Sequence, residues 1–162
     1  MQLAIAPLTA AAFAPFGDVL HPSTCRETRS INAGRTQRFH DLAVLDLAAR
    51  GGRACLSIFR TDPLPVPLRL THLERHPLSS QAFYPLSGRD WLVVVAPAGA
   101  LRPDAIRAFR AGPDQGVNFH PGTWHHFSLA LGGTSDFLVV DRTDGDADCD
   151  ELELDEPLEL HP

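Results

Sequence analysis

Proline or glycine interrupts this chain at nearly every interval long enough to hold a helix. The breaks fall at the P-L-P-V-P run Pro63–Pro67, at Gly88, from Pro97 to Gly99, and at Gly112-Pro113, Pro121-Gly122 and Gly132-Gly133. Proline fixes φ and removes a backbone donor, and glycine weakens regular elements through its extra entropy, so each break ends an element. What lies between reads as short strands: Arg53–Arg60, Leu68–His76, Gln81–Pro85, Trp91–Val95, Ile106–Arg110, Gly116–His120, Trp124–Leu131 and Ser135–Asp141. Many short strands at near-regular spacing predict an all-β barrel or sandwich in a single domain over residues 1–162. The start differs. Leu3, Ile5 and Pro7 alternate with small residues, and Thr9 is placed to cap a short helix carried by Ala10–Ala14. Residues 21–37 read as polar loop.

Composition excludes several functions. The longest apolar run near a strand, Trp91–Ala96, is too short to span a bilayer. The Ala-rich N-terminus carries no basic residue before Arg26, so it reads as folded protein rather than a secretion leader. Cys25, Cys55 and Cys149 form no C-x-x-C pair, which argues for a reducing cytoplasm and against a disulfide framework or zinc knuckle. All 14 basic residues are arginine, so Schiff-base and P-loop lysine chemistry is excluded. Residues 144–162 hold nine acids and no arginine, which leaves residues 1–143 with a formal charge of +3. That body suits a small anion but is not clustered enough for nucleic acid. The tail D-G-D-A-D-C-D-E departs from a calcium loop at Cys149, where the loop needs glycine. It reads as a solvated acidic segment leading to a short edge strand at Glu151–Leu154.

Two stretches carry chemistry, His72–Gly88 and Gly116–His126. Residues two apart in a strand share a face. Leu68, Leu70, His72, Glu74 and His76 are therefore expected in one row, apolar at one end and polar at the other. His125, Phe127 and Leu129 are expected to repeat the pattern, with His126 turned away from His125. Asn118 and His120 share one face of their strand, Val117 and Phe119 the other. A small barrel with a packed floor and a polar mouth needs this arrangement.

Residues 74–88 resemble the first motif of the cupin barrels, whose ligand places fall on Glu74, His76 and Gln81, followed by Gly88. The second cupin motif, a Pro-x-Gly turn followed by His, resembles His120–His125. Glu74 stands where His is usual, and Gln81 where Glu is usual. The strings I-N-A-G-R-T-Q-R-F-H-D-L-A (31–43), E-R-H-P-L-S-S-Q-A-F-Y-P-L (74–86), Q-G-V-N-F-H-P-G-T-W-H-H (115–126) and D-F-L-V-V-D-R (136–142) resemble the bacterial ureidoglycolate lyase family over nearly the whole chain.

That resemblance implies a cupin-type antiparallel β-barrel and a homodimer in allantoin degradation. It also implies cleavage of (S)-ureidoglycolate to glyoxylate and urea with a divalent metal, nickel being the ion associated with the family. Glu74, His76, Gln81 and His125 are then the candidate ligands, a set that also suits Zn²⁺ or Mn²⁺. Glu74 is alternatively the base, and His120 the proton-transfer group. The substrate carboxylate calls for arginine, with Arg60 and Arg38 as candidates. His40, Asn118 and Asn32 complete the expected substrate contacts. Two other readings stand beside this one: a different metal-dependent cupin enzyme acting on a small carboxylic acid, and a cupin that binds such an acid without turning it over.

Overall fold

The computed structural model describes residues 1–162. The elements in chain order are β1 (Ile5–Pro7), α1 (Ala10–Phe13), β2 (Gly17–Leu20), β3 (Glu27–Ile31), β4 (Thr36–His40), β5 (Arg53–Thr61), β6 (Leu68–Arg75), β7 (Gln81–Pro85), β8 (Trp91–Ala96), β9 (Arg107–Ala111), β10 (Gly116–Phe119), β11 (Trp124–His125), β12 (Leu129–Ala130), β13 (Ser135–Thr143) and β14 (Asp150–Leu160). One sheet runs β1-β9-β8-β11-β6-β14, with β12 also on β8; a second runs β2-β10-β7-β13-β5. The sheets curl into a half-barrel, an all-β architecture of cupin type. The single helical turn forms where expected, with the Ala12 amide donating to the Thr9 hydroxyl at 3.3 Å.

Two apolar clusters hold the sheets. The inner one, between them, includes Phe13, Phe16, Phe83, Trp91, Val93, Val95, Phe119, Phe137 and Val139. The other includes Leu68, Leu70, Leu73, Leu92, Val94, Ala96, Trp124, Leu129, Leu158 and Leu160. Every residue of β8 is buried because its odd members enter the first cluster and its even members the second. That is why W-L-V-V-V-A lacks the alternation of a half-exposed strand. Each buried Leu, Val or Phe side chain contributes roughly 1.5–3 kcal/mol over the exposed state.

Two expected rows are broken by bulges. Leu70 and Leu73 lie in the same cluster three residues apart, so the alternation of β6 slips by one between them. The pairing of β6 with β14 shifts at the same level, between Glu153 and Leu158. Leu68 and Leu70 therefore do not share a row with Glu74. Along the other stretch, His125 pairs with Val95 and Leu129 with Leu92, four residues against three. The extra residue puts Leu129 in the second cluster, exposes Phe127 and divides the expected strand Trp124–Leu131 in two. A bulge re-aims the side chains beyond it and is common beside functional sites.

Two segments differ from expectation. Residues 27–40, most of them expected in loop, form a hairpin: β3 pairs with β4 from Glu27↔His40 to Ile31↔Thr36, apart from both main sheets. Polar β-branched and arginine residues with no apolar alternation gave no strand signal there. The acidic C-terminal segment is not a solvated tail with a four-residue strand. Its β14 spans Asp150–Leu160 and seals the edge of β6, with Leu158 and Leu160 buried.

Candidate metal centre

Glu74, near the end of β6, and His125, on β11, are direct antiparallel partners, so their side chains emerge on the same face. The His125 Nε2 lies 3.4 Å from Glu74 Oε1 and 3.1 Å from the Oε1 of Gln81, the first residue of β7. His76 follows β6, with its ring centroid 5.3 Å from that of His125. The ligand atoms of Glu74, His76 and His125 all lie within 4.8 Å of one another.

The protonation of both histidines is set by what their other nitrogens touch. His76 Nδ1 lies 2.6 Å from the Asp148 carbonyl oxygen, and His125 Nδ1 lies 2.9 Å from that of Thr123. A carbonyl only accepts, so each Nδ1 carries the proton and donates it. Each Nε2 then presents a lone pair. His76 Nε2 is buried and finds no hydrogen-bond partner in the protein. The Gln81 amide oxygen is turned toward His125. With both rings neutral, two lone pairs, an amide oxygen and a carboxylate converge with no donor among them. A proton on His125 would satisfy only its own contacts and leave His76 Nε2 orphaned. A divalent cation bound by N and O donors satisfies all four, so the residues fit such an ion.

The surroundings hold this arrangement. The Phe119 ring stacks on His125 at 4.3 Å and 12°, fixing the imidazole plane. Gly122, at φ +80 in the Pro121-Gly122 turn, donates its amide to the His76 carbonyl at 2.8 Å. That backbone conformation favours glycine and ties the two motifs together. Arg75 lies over the Trp124 ring and donates to Asp150, so Glu74 has no arginine partner. The contact to His125 holds the Glu74 carboxyl below the usual range against the opposing effect of burial. Burial raises Asp141 above the ordinary aspartate value, partly offset by Gln81 and His76. Burial also lowers His126 to about 4, leaving it neutral at pH 7. Its ring lies against His72 and Phe127.

A cavity of about 330 Å³ opens beside His76 and Gln81, lined also by Asp141, Asp148, Arg142 and Cys149 among others. That is enough for a small organic acid. Burial and nearby carboxylates raise the Cys149 thiol, which keeps it protonated and unsuited to nucleophilic attack. The Arg142 guanidinium is committed to the carbonyls of Ala49, Arg50 and Asp146.

The structure gathers Glu74, His76, Gln81 and His125 and leaves the other expected site residues elsewhere. Phe119 faces the interior, so Asn118 and His120 face outward as the alternation requires. Asn118 donates to Asp18 and the Val44 carbonyl, and His120 Nε2 lies 3.2 Å from Asp18. Arg60 is bound bidentately to Asp136 at 2.8 Å, at the opposite end of β13 from Asp141. Arg38 and His40 project from the exposed hairpin, and Asn32 sits in its turn, donating to Thr36.

Three contributors were not anticipated. Asp141 follows Phe137 and Val139 in the inward row of β13, so alternation from those buried residues was the available signal. Asp148 accepts from the Leu78 amide and the Ser79 hydroxyl, both at 2.6 Å, while its carbonyl holds His76. The Thr123 carbonyl, like that of Asp148, carries no side-chain signal at all.

The family model for ureidoglycolate lyase matches residues 1–161. A ureidoglycolate lyase of Burkholderia mallei is 52% identical over 158 residues, covering 98% of this chain and 92% of the relative. Those of Pseudomonas putida and Pseudomonas aeruginosa are 51% and 48% identical, covering 92% and 99% of this chain and 89% and 96% of their own lengths. Glu74, His76, Gln81 and His125 meet in one site on a cupin-type half-barrel, and the sequence aligns end to end with these relatives: the chain belongs to the ureidoglycolate lyase family.

Proposed function

We propose that this protein is a metal-dependent carbon–nitrogen lyase that splits (S)-ureidoglycolate into glyoxylate and urea, acting in allantoin breakdown in the cytoplasm as a homodimer. The observation that carries the reading is the meeting of two imidazole nitrogens, an amide oxygen and a carboxylate beside a small polar cavity that His76 and Gln81 line. Membership of the family supports the choice of substrate. No helix is long and apolar enough to cross a membrane.

Glu74, His76, Gln81 and His125 would hold the ion, nickel being the one the resemblance implies. When bound it supplies Lewis acidity, which lowers the pKa of a nearby hydroxyl and polarises the carbonyl that forms from it. The reaction is an internal elimination. The substrate hydroxyl loses its proton, its oxygen forms the aldehyde of glyoxylate, the C–N bond breaks, and the nitrogen takes a proton and leaves as urea. No water is consumed. Asp141 lines the same cavity, and burial makes it a stronger base than an exposed aspartate. It is the group placed to take the hydroxyl proton and return one to the leaving nitrogen. Gln81 lines that cavity with Asp141 and its amide oxygen reaches His125, so base and ion site lie side by side.

The test is turnover of freshly prepared ureidoglycolate by metal-stripped protein, with and without nickel or manganese, assaying glyoxylate, urea and ammonia separately. Equimolar glyoxylate and urea, restored by metal, supports the lyase. Ammonia in place of urea refutes it, and so does the absence of product with any metal.

A further inference from the structure

The mouth cavity lacks a free cation for an anionic substrate, and the chain carries unpaired arginine on an arm that pairs with neither main sheet. Arg142 is bound to backbone carbonyls, Arg53 pairs with Asp144, and Arg50 pairs with Asp146. The remaining charges that line it, those of Asp141 and Asp148, are acidic. The β3–β4 hairpin stands apart from both main sheets, and every residue from Glu27 to Phe39 is exposed. An isolated two-stranded hairpin is marginally stable in water, so such an arm normally lies against a partner.

Its chemistry points to the kind of partner. Residues 26–41 hold four arginines against two acids. Arg29 and Arg38 are direct cross-strand neighbours, a like-charge pairing that disfavours the hairpin unless an anion relieves it. Arg29 donates to Glu27, but Arg38 makes no ion pair or side-chain hydrogen bond within the chain. Ile31 and Phe39 are 37% and 40% exposed, giving the arm apolar anchors. An apolar face waits on the second sheet. On its free edge strand β5, Leu56 and Ile58 are 69% and 55% exposed, opposite Val140 and Leu138 of β13. A basic arm with apolar anchors complements an acidic mouth on the inner side and an apolar face on the outer side of the same β13–β5 edge, and arm and edge lie on every copy of this chain.

We infer that two copies exchange their β3–β4 hairpins, each laying its arm on the partner's five-stranded sheet and presenting Arg38 to the partner's mouth cavity, where it binds the substrate carboxylate. Such an isologous exchange satisfies both arms with one contact. His40 shares a hairpin face with Arg38 and arrives beside it. The inference rests on the reading of the mouth as the reaction site.

Mixed dimers test it. Arg38→Ala should lower kcat/KM about 10- to 100-fold, mostly through KM, because a carboxylate contact is made in ground and transition states alike. His125→Ala removes the site in its own chain. Refolding or co-expressing the two impaired chains together should restore kcat/KM, read at low substrate, to about one quarter of wild type, because half the dimers are mixed and each holds one intact site. No restoration refutes the exchange of Arg38. Sedimentation tests the arm without any substrate. The wild type should run at twice 17.6 kDa. Ile31→Asp and Phe39→Asp, changes at exposed positions that leave the far-UV spectrum intact, should shift it toward monomer. A monomeric wild type, or variants that stay dimeric, overturns the inference. Wild type that dimerises through the arm yet does not cleave ureidoglycolate would refute the proposed reaction, and with it the role of Arg38.

Discussion

Asp148 touches no ligand atom, yet its replacement should weaken metal binding. Its carboxylate accepts from the Leu78 amide and the Ser79 hydroxyl at 2.6 Å each, and its own carbonyl accepts a hydrogen bond from His76 Nδ1 at 2.6 Å. In Asp148→Ala the carbonyl survives, but the two bonds that hold it beside His76 are lost. Hydrogen bonds to an ionised group contribute about 1.5–3 kcal/mol each when buried; these are half-buried, so about 2–3 kcal/mol in total is expected. For a chain of 162 residues that lowers Tm by roughly 5–10 °C. Loss of an outer partner of a ligating histidine costs about 10- to 100-fold in metal affinity. Asp148→Asn keeps one acceptor oxygen and should fall between. The assay is calorimetric titration of the stripped protein with nickel, beside thermal unfolding with and without the metal. An Asp148→Ala protein that binds nickel as tightly as wild type would refute the claim that this loop orients His76.

His76→Ala should abolish stoichiometric metal binding while costing little apo stability, because it removes an unsatisfied buried nitrogen; metal content after dialysis checks this. Asp141→Asn should lower kcat by about 10²- to 10⁴-fold with metal content unchanged, as loss of a general base does. His120→Ala, on the outer face beside Asp18, should keep a near-normal rate; steady-state kinetics of the two variants separate inward from outward assignments. His126 titrates near 4 when folded and near 6.5 when unfolded, so the unfolded state binds the extra proton between those values. Its contribution is therefore fully present above pH 6.5 and falls away toward pH 4, by about 3 kcal/mol in total. Urea unfolding of metal-free wild type and His126→Gln at pH 5 and 7 should show a smaller pH difference in the variant.

Much of the site was legible before the fold. Glu74, His76, Gln81 and His125 sit at motif spacings, and short-range spacing survives folding because it depends only on strand and turn geometry. Asn118 and His120 lie apart from that cluster for a related reason. Alternation correctly grouped Asn118 with His120, but a strand pattern does not say which face is the inside. Phe119, stacked on His125, decides it. The apolar-to-polar row along β6 failed because a bulge changes phase by one residue and has no fixed sequence mark. Asp148 escaped notice because nine acids over residues 144–162 read as a solvated run, whereas its neighbours Leu78 and Ser79 lie some seventy positions away.

The sequence by itself determined that this chain is a β protein broken into short strands, that lysine chemistry is absent, and that two histidines, a glutamate and a glutamine recur at ligand spacings. These are local matters of dihedral preference, period and residue chemistry. Only the tertiary structure decided which nitrogen of each histidine is held by a backbone carbonyl, that Asp141 and Asp148 line a cavity with His76 and Gln81, and that the arginine arm pairs with neither main sheet. Those depend on backbone carbonyls, burial and pairings between distant segments. Such features exist only once the sheets have closed and water has been excluded from the floor of the half-barrel.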